Sequence, residues 1–387
     1  MMLERFSKYD KALIVLVGIV FILHLLIIAT PPNAYIFDEA HYVPSARCML
    51  NGTVCNVEHP PLSKFLIAMG IRIIGDNGVG WRLPSIITGT LTIALVYLIV
   101  RRLRDEKTAL IAAFLLGFES LWFTHSSIAL LDIIAIFFAV LGIYLFVCDR
   151  KIASGIAFGL GMLGKETVIL IIPAIVIYSM LIQEKIISKN TLKTALKVSL
   201  AVGLPAIIVF LVGLNAYDLT YDAFPTPFHH LARMVKHNQA IEAPRFSDVI
   251  HPVRWFSGFI PDPYFVTTVN VKDGVKRSFA QYYNMPNLLV ILLIWLALPH
   301  AFANALKKEK LEMLNLLIIG SVFFAYLVLA SSRITYPFYM LLFLPSLCII
   351  NSTFLVKMPK SVLITYCIGV LAWFIFWFPR NVFTLGM

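Results

Sequence analysis

Apolar residues in this chain fall in long unbroken runs, not in alternation. Runs of about 18 to 22 residues are long enough to cross a bilayer core of about 30 Å. A backbone inside lipid must satisfy its own hydrogen bonds, so each run is expected as a helix. The alternating pattern of a membrane β-barrel is missing. The expected helices are Ala12–Ala29, Trp81–Val100, Thr108–Thr124, Ile128–Cys148, Ile152–Gly164, Val168–Ile182, Val198–Leu214, Pro286–Asn304, Met313–Ser331, Tyr336–Ile350 and Val362–Phe378, roughly eleven in all. Ile152–Gly164 and Val168–Ile182 are short for a span, and they flank Gly164-Lys165-Glu166. They are expected as a pair meeting below the outer surface. Ala12–Ala29 is too long for the apolar core of a cleavable signal and lacks a small-residue cleavage site, so it is kept as a helix.

The connections alternate in character. Glu4–Lys11, Arg101–Lys107, Asp149–Lys151, Gln183–Lys197, Lys307–Lys310 and Lys357–Lys360 are short and rich in Lys and Arg, which assigns them to the cytoplasm. The two long polar segments, residues 31–80 and 215–285, then face outward. Within the first, Ser63–Ile74 is apolar except at Ser63, Lys64, Gly70 and Arg72, and is expected as an interfacial helix. The second is rich in Pro, His and aromatic residues, and a structureless loop of that length is uncommon unless it has a function. The fold class expected is therefore an all-α polytopic membrane protein, one domain over residues 1–387 with two outer segments. No internal repeat and no detached soluble domain is legible.

Composition agrees with that pattern. Of 387 residues, 59% are hydrophobic and 14% charged, against about 25% charged in a soluble domain. The net charge of +11 reads as topology signal. No basic patch is interleaved with a stacking platform, which excludes a nucleic-acid partner. Cys148, Cys348 and Cys367 sit in or beside apolar runs and are expected to pack. Cys48 and Cys55 share an outer loop around Asn51-Gly52-Thr53, where Asn-Gly is a turn signal; the hairpin makes them a candidate disulfide on the oxidising side. No cluster has zinc-ligand spacing, so no metal site is assigned.

The candidate chemistry collects on the outer side. The first outer segment carries Phe37-Asp38-Glu39-Ala40-His41-Tyr42, then His59-Pro60-Pro61-Leu62-Ser63-Lys64, then Trp81-Arg82-Leu83-Pro84. A carboxylate near the headgroups serves as a general base if it faces a cavity; otherwise it is a solvated loop charge. Arg82, Lys165 and Arg333 are outer-side cations at helix ends, suited either to snorkelling or to an anionic group. Asp132 and Glu119 are ionisable groups near outer helix ends; the first is a candidate site residue, the second a structural pair. His251, Arg254 and Trp255 line either an acceptor groove or only a packed loop.

The order of the three outer motifs resembles the protein O-mannosyltransferase family and its prokaryotic relatives. In that family an Asp-Glu pair follows the first helix, then His-Pro-Pro-Leu-x-Lys, then aromatic-Arg-x-Pro. The match is close over Phe37 to Ser85. It continues loosely through Leu131-Asp132, Gly164-Lys165, His251-Pro252 with Trp255, and Arg333 to Pro345. Two features depart from the family. Residues 215–285 are too short for the soluble insertion of eukaryotic members, and Ser126-Ser127-Ile128-Ala129 lacks the Arg that many members carry before Leu-Asp. Both bear on the acceptor more than on the donor.

The resemblance implies the C-type membrane glycosyltransferase fold and a sugar donor on polyprenyl or dolichyl phosphate. The sugar, expected as mannose, goes to Ser or Thr hydroxyls of exported polypeptides. Asp38 is then the base and Glu39 its support or the acceptor's guide. His59, Arg82, Lys165 and Arg333 are donor-phosphate candidates, and Asp132, His251 and Arg254 substrate-binding candidates. One inverting displacement needs a single base, unlike the two carboxyl groups of a glycosidase. A lipid or glycan acceptor is the alternative within the class. A transporter is the alternative outside it, but related halves and midplane polar groups are not evident. A non-catalytic scaffold gives no reason for the three motifs.

Overall fold

The structure is a computed structural model. It describes residues 7–32, 34–183, 188–240, 251–257, 260–270 and 276–385. The start of the expected inner segment Glu4–Lys11, and parts of Gln183–Lys197 and of residues 215–285, lie outside the described residues.

Helices dominate, as the apolar runs predict. α1 (Lys8–Leu25) opens on a capping box, with Ser7 and Asp10 bonding each other's backbone. Two helices of the first long polar segment follow, α2 (Glu39–Leu50) and α3 (Leu62–Ile74), and then the long α4 (Gly78–Leu103). α3 and α4 approach so closely that a Cβ at Gly70 would strike the carbonyl of Gly80. The expected single helix Thr108–Thr124 is two, α5 (Glu106–Gly117) and α6 (Ser120–Ser126), bent by 65°. Glu119 makes the break: its carboxylate accepts the Trp122 amide, capping α6, and the Asn287 amide.

α7 (Asp132–Val147) and α8 (Lys151–Gly164) pack as an antiparallel pair. Lys165 is extended, and a 3₁₀ stretch, Glu166–Ile171, leads into α9 (Ile172–Leu181). α10 (Lys189–Val198) runs through a π-helical turn into α11 (Leu204–Tyr221). α12 (Pro227–Ala240) follows, and α13 (Leu288–Leu292), α14 (Ile294–Leu306), α15 (Lys310–Leu329), α16 (Leu344–Leu355) and α17 (Lys360–Phe376) complete the bundle.

Among the described residues three helices are long and apolar enough to cross a membrane: Gly78–Leu103, Lys189–Tyr221 and Lys310–Leu329. The bent α5–α6 pair would make a fourth, and six shorter apolar helices have 10–17 residues. Large apolar side chains stand exposed along α10–α11 (Leu192, Leu196, Leu200, Leu204, Ile208, Val212) and on α14 and α17 (Trp295, Leu296, Ile368, Ile375). So much exposed apolar surface suits lipid, not water. The chain is a helical membrane protein.

The second long polar segment adds what the pattern of apolar runs does not predict, a small sheet of order β1-β2-β3. β1 (Asp262–Asn270) pairs antiparallel with β2 (Lys276–Asn284), Phe265 opposite Gln281. β2 pairs with β3 (Phe383–Leu385). The sheet touches the bundle at β1, where the Phe37 amide donates to the Tyr264 carbonyl at 3.1 Å.

Candidate functional site

Asp38 lies at the N-terminus of α2, and its side chain makes no capping hydrogen bond there. It faces a cavity of ≈ 240 Å³ that Tyr42, His59, Lys165, Glu166, Arg333 and Tyr339 also line. Phe37, just before it, has φ 50°, a left-handed conformation that costs a non-glycine residue free energy. Phe37 is held there by its bond to Tyr264 and by stacking on that ring at 4.2 Å. Such strain at a cavity wall fixes the direction of the next side chain. Burial raises the Asp38 carboxyl above its ordinary value, more than the Lys165 and His41 charges lower it. A carboxylate so placed is a stronger base than an exposed one.

Lys165 sits at the break between α8 and the 3₁₀ stretch. Its ammonium donates to Asp132 at 2.7 Å and lies over the Tyr339 and Phe338 rings, 5.2 and 5.8 Å from their centroids. Asp132 is the first residue of α7, where a carboxylate suits the helix dipole. Ser63 joins these pieces to the His-Pro-Pro motif: its hydroxyl bridges the Leu131 and Gly164 carbonyls at 3.1 and 3.2 Å. Gly164 is needed for this approach, since a Cβ there would come 3.0 Å from the Ala135 backbone. One serine thus connects three motifs that are separately weak in sequence.

Lys64 braces the loop before α3. Its buried ammonium donates to the carbonyls of Asn56 and His59, and burial lowers it to about 7. His59 Nδ1 faces Glu166 Oε2 at 3.6 Å, beyond hydrogen-bond reach, and neither atom has another partner. Glu166 enters the cavity wall although the motifs did not single it out; its signal was its place beside Lys165 at the helix break. Tyr42, Tyr336 and Tyr339 were missed for want of any charge or spacing to mark them.

Arg82 and Glu39, expected at the phosphate and the acceptor, are not among the residues that line this cavity. Both are fully buried. Arg82 Nε and Nη2 grip the two Glu39 oxygens at 2.8 Å each, and the remaining N–H groups go to the carbonyls of Ile28, Thr30 and Ala34. All five guanidinium donors are used, so none is left for a phosphate. Glu39 also accepts the Ile36 and Ala129 amides. The pair ties the stretch from Ile28 to Glu39 to α4 and to the turn before α7.

Arg333 lies at the cavity mouth, its Nη2 3.3 Å from the Tyr339 hydroxyl. It also lines an apolar groove of ≈ 580 Å³ whose other walls include Met162, Leu170, Phe210, Phe228 and Leu231; Glu166, Thr167, Tyr326 and Leu329 are shared with the polar cavity. A polar chamber and an apolar one therefore adjoin, sharing these residues as a common wall. His251 and Arg254 stand exposed on a single turn, Pro252–Phe256, and line neither space. Trp255 is buried against Phe343 and Tyr326. Cys48 and Cys55 form a disulfide, Cα atoms 6.0 Å apart, between the end of α2 and the loop leading to His59. Among the described residues no three His, Cys, Asp or Glu side chains gather as a metal-holding set.

Residues 58–210 match the family model described as dolichyl-phosphate-mannose-protein mannosyltransferase. That stretch holds His59, Lys64, Arg82, Asp132 and Lys165 but neither Asp38 nor Arg333. A polyprenol-phosphate-mannose–protein mannosyltransferase of Mycobacterium tuberculosis is 40% identical over 129 residues, 31% of this chain and 25% of that one. An undecaprenyl phosphate-alpha-4-amino-4-deoxy-L-arabinose arabinosyl transferase of Pseudomonas aeruginosa is 25% identical over 72% of this chain and 52% of its own. The matches thus span a quarter to about half of these relatives' length. Among solved structures, ArnT from Cupriavidus metallidurans bound to undecaprenyl phosphate superposes with a TM-score of 0.66 at 15% identity. It covers 93% of this chain and 62% of that one, a likeness that speaks to the fold. Over residues 58–210 the chain is thus similar to the dolichyl-phosphate-mannose-protein mannosyltransferase family model, and its helical membrane fold is like that of ArnT.

Proposed function

We propose that this chain is an inverting membrane glycosyltransferase that moves mannose from a polyprenyl-phosphate donor to a Ser or Thr hydroxyl of an exported polypeptide. Its eleven spans would place residues 31–80 and 215–285 on the outer face. The observation that carries the reading is the junction of two spaces at Arg333: a polar cavity holding Asp38 and Lys165, and an apolar groove beside it. A lipid-linked sugar has that same division, with phosphate between an apolar tail and a polar sugar.

In this reading the tail lies in the groove, the phosphate meets Arg333 and Lys165, and the sugar reaches toward Asp38. Asp38 takes the proton of the acceptor hydroxyl. The oxygen bonds to the anomeric carbon as the bond from that carbon to the phosphate oxygen breaks. Lipid phosphate leaves with the electron pair, and cations already in place stabilise the growing charge.

The test is transfer by the purified protein, in lipid discs, from radiolabelled polyprenyl-phosphate-mannose to a Ser/Thr peptide. Label in the peptide that depends on Asp38 supports the reading. Label only in a lipid acceptor favours the second reading, a lipid-modifying transferase. Two things favour that reading: the arabinosyl transferase likeness, and a further apolar cleft of ≈ 280 Å³ lined by Met49, Pro61, Phe65 and Tyr221. No transfer to any acceptor overturns both.

A further inference from the structure

Among the described residues, the small sheet ends in an edge strand, β1, beside the segment that carries Asp38. β1 is the outer strand of the sheet, and its turned-out carbonyl at Tyr264 is taken by the Phe37 amide. Backbone groups of successive residues in an antiparallel ladder alternate between the two sides. Val266 and Thr268 therefore turn theirs the same way as Tyr264, away from β2, where their Cα partners are Ala280 and Ser278.

Exposed sheet edges in native proteins are blunted by lysine, proline, a bulge or a covering element. This strand opens on Asp262-Pro263; from Tyr264 to Asn270 it reads Tyr-Phe-Val-Thr-Thr-Val-Asn, without a charge or a proline, and residues 266–268 are exposed. Phe37 fills the edge position at Tyr264; the next outward position, at Val266, lies about 7 Å further along and has no backbone partner on that side among the described residues.

We propose that this edge receives the acceptor polypeptide as an added β-strand, laid beside Val266–Thr268 in line with Phe37, so that its near end presents a hydroxyl to Asp38. The inference rests on the polypeptide-acceptor reading given above. Pairing through the main chain suits an enzyme that must accept varied sequences, because every residue but proline offers the same amide and carbonyl. Neither a lipid nor a free sugar has a repeating ladder to match this edge. A second copy of the chain could pair edge to edge, and the experiment separates that case.

The test uses the full chain in lipid discs with polyprenyl-phosphate-mannose and a peptide bearing one serine, its backbone N-methylated one residue at a time. A lost edge hydrogen bond should raise the peptide KM about fivefold. The increase is expected at alternate residues on one side of the serine and not at those between, with the donor KM unchanged. Val266→Pro, which removes an edge-facing N–H, should raise the KM of the unmethylated peptide and reduce its sensitivity to methylation. Its size-exclusion profile and unfolding midpoint check that it folds. Val266→Thr, which keeps the N–H, should behave as the parent.

Equal sensitivity at every position, or at none, with the parent peptide still glycosylated overturns the edge and leaves the polypeptide reading standing. If no peptide is glycosylated while a lipid acceptor is, both fall together. A dimer that Val266→Pro dissociates, with peptide KM unchanged, assigns the edge to a second copy and also overturns the proposal.

Discussion

At the cavity wall, Asp38 keeps a half-buried carboxylate that caps nothing and faces Lys165, His59 and Arg333 across open space. One residue later, Glu39 is enclosed by two guanidinium bonds and two amide bonds, and Arg82 opposite it has no donor to spare. The sequence shows two adjacent acidic residues of one motif; the fold gives them different work. A group meant to exchange a proton keeps unmet capacity and an approach. A group meant to hold two segments together spends its capacity on neighbours. The left-handed Phe37 and the start of α2 cause the division, turning consecutive side chains to opposite sides.

Asp38→Asn is the hardest test of the cavity side. Positioned base catalysis is worth about 10²–10⁴-fold, so transfer should fall by that factor while donor binding persists. The stability sign separates this from a structural role. Burial raises the folded carboxyl above the ordinary 3.8, so the folded state holds a proton that the unfolded chain has released. Stability is therefore lost as pH rises through that window, and the full cost is present above it. Asn removes the cost. The variant should unfold at a higher temperature than the parent at neutral pH and at a similar one below pH 3.8. An inactive variant that is also less stable at neutral pH would mean Asp38 is structural.

Glu39→Gln tests the other side and should act on folding. Removing one partner of a buried ion pair leaves the other uncompensated, at about 3–5 kcal/mol. The yield of folded protein should drop for Glu39→Gln and for Arg82→Ala, and Arg82→Lys should recover only part, because it lacks the fork. Full yield with lost transfer would return Glu39 to the substrate and erase the contrast. Arg333→Ala, at the mouth, should leave yield intact and cut catalytic efficiency with the donor at least tenfold, as expected for a charged hydrogen bond of about 1.5–3 kcal/mol. Steady-state kinetics over a donor series measure this; an unchanged efficiency removes Arg333 from the phosphate.

Much of this was legible because hydrophobic length is written in the chain. The apolar runs mark where most helices lie, and Ser63–Ile74 is indeed a helix. The break at Gly164-Lys165-Glu166 is where Lys165 enters the cavity. The bend at Glu119 was not legible, since an acidic residue in an apolar run does not say whether it caps or pairs. The surroundings of Arg82 were not legible for a related reason: its charge type is written in the chain, but the carboxylate and carbonyls that take up its donors are a tertiary fact. The strands were missed because the aromatic and β-branched stretch 264–269 and the Asp273-Gly274 that follows sat in a segment judged by its proline and histidine content. Asp273 and Gly274 themselves lie outside the described residues.

The smallest expected effect lies between the two regions, at Cys48 and Cys55. The disulfide closes a loop from the end of α2 to the stretch that leads to His59, and the Ser45 hydroxyl adds a bond to the Cys55 carbonyl at 3.1 Å. A loop this short loses little chain entropy on closure, so the double Ser variant should cost about 2 kcal/mol. His59 is also held from its other side by Lys64, which grips the His59 and Asn56 carbonyls, so the cavity should survive loss of the cross-link. The double variant is expected to unfold a few degrees lower and keep nearly full transfer at 25 °C. Differential scanning fluorimetry with and without reductant, beside a transfer assay on the same samples, reads both quantities. A collapse of transfer at unchanged stability would show that the cross-link, rather than Lys64, sets His59 against Glu166, and the cavity's rigid wall would then begin at α2 instead of α3.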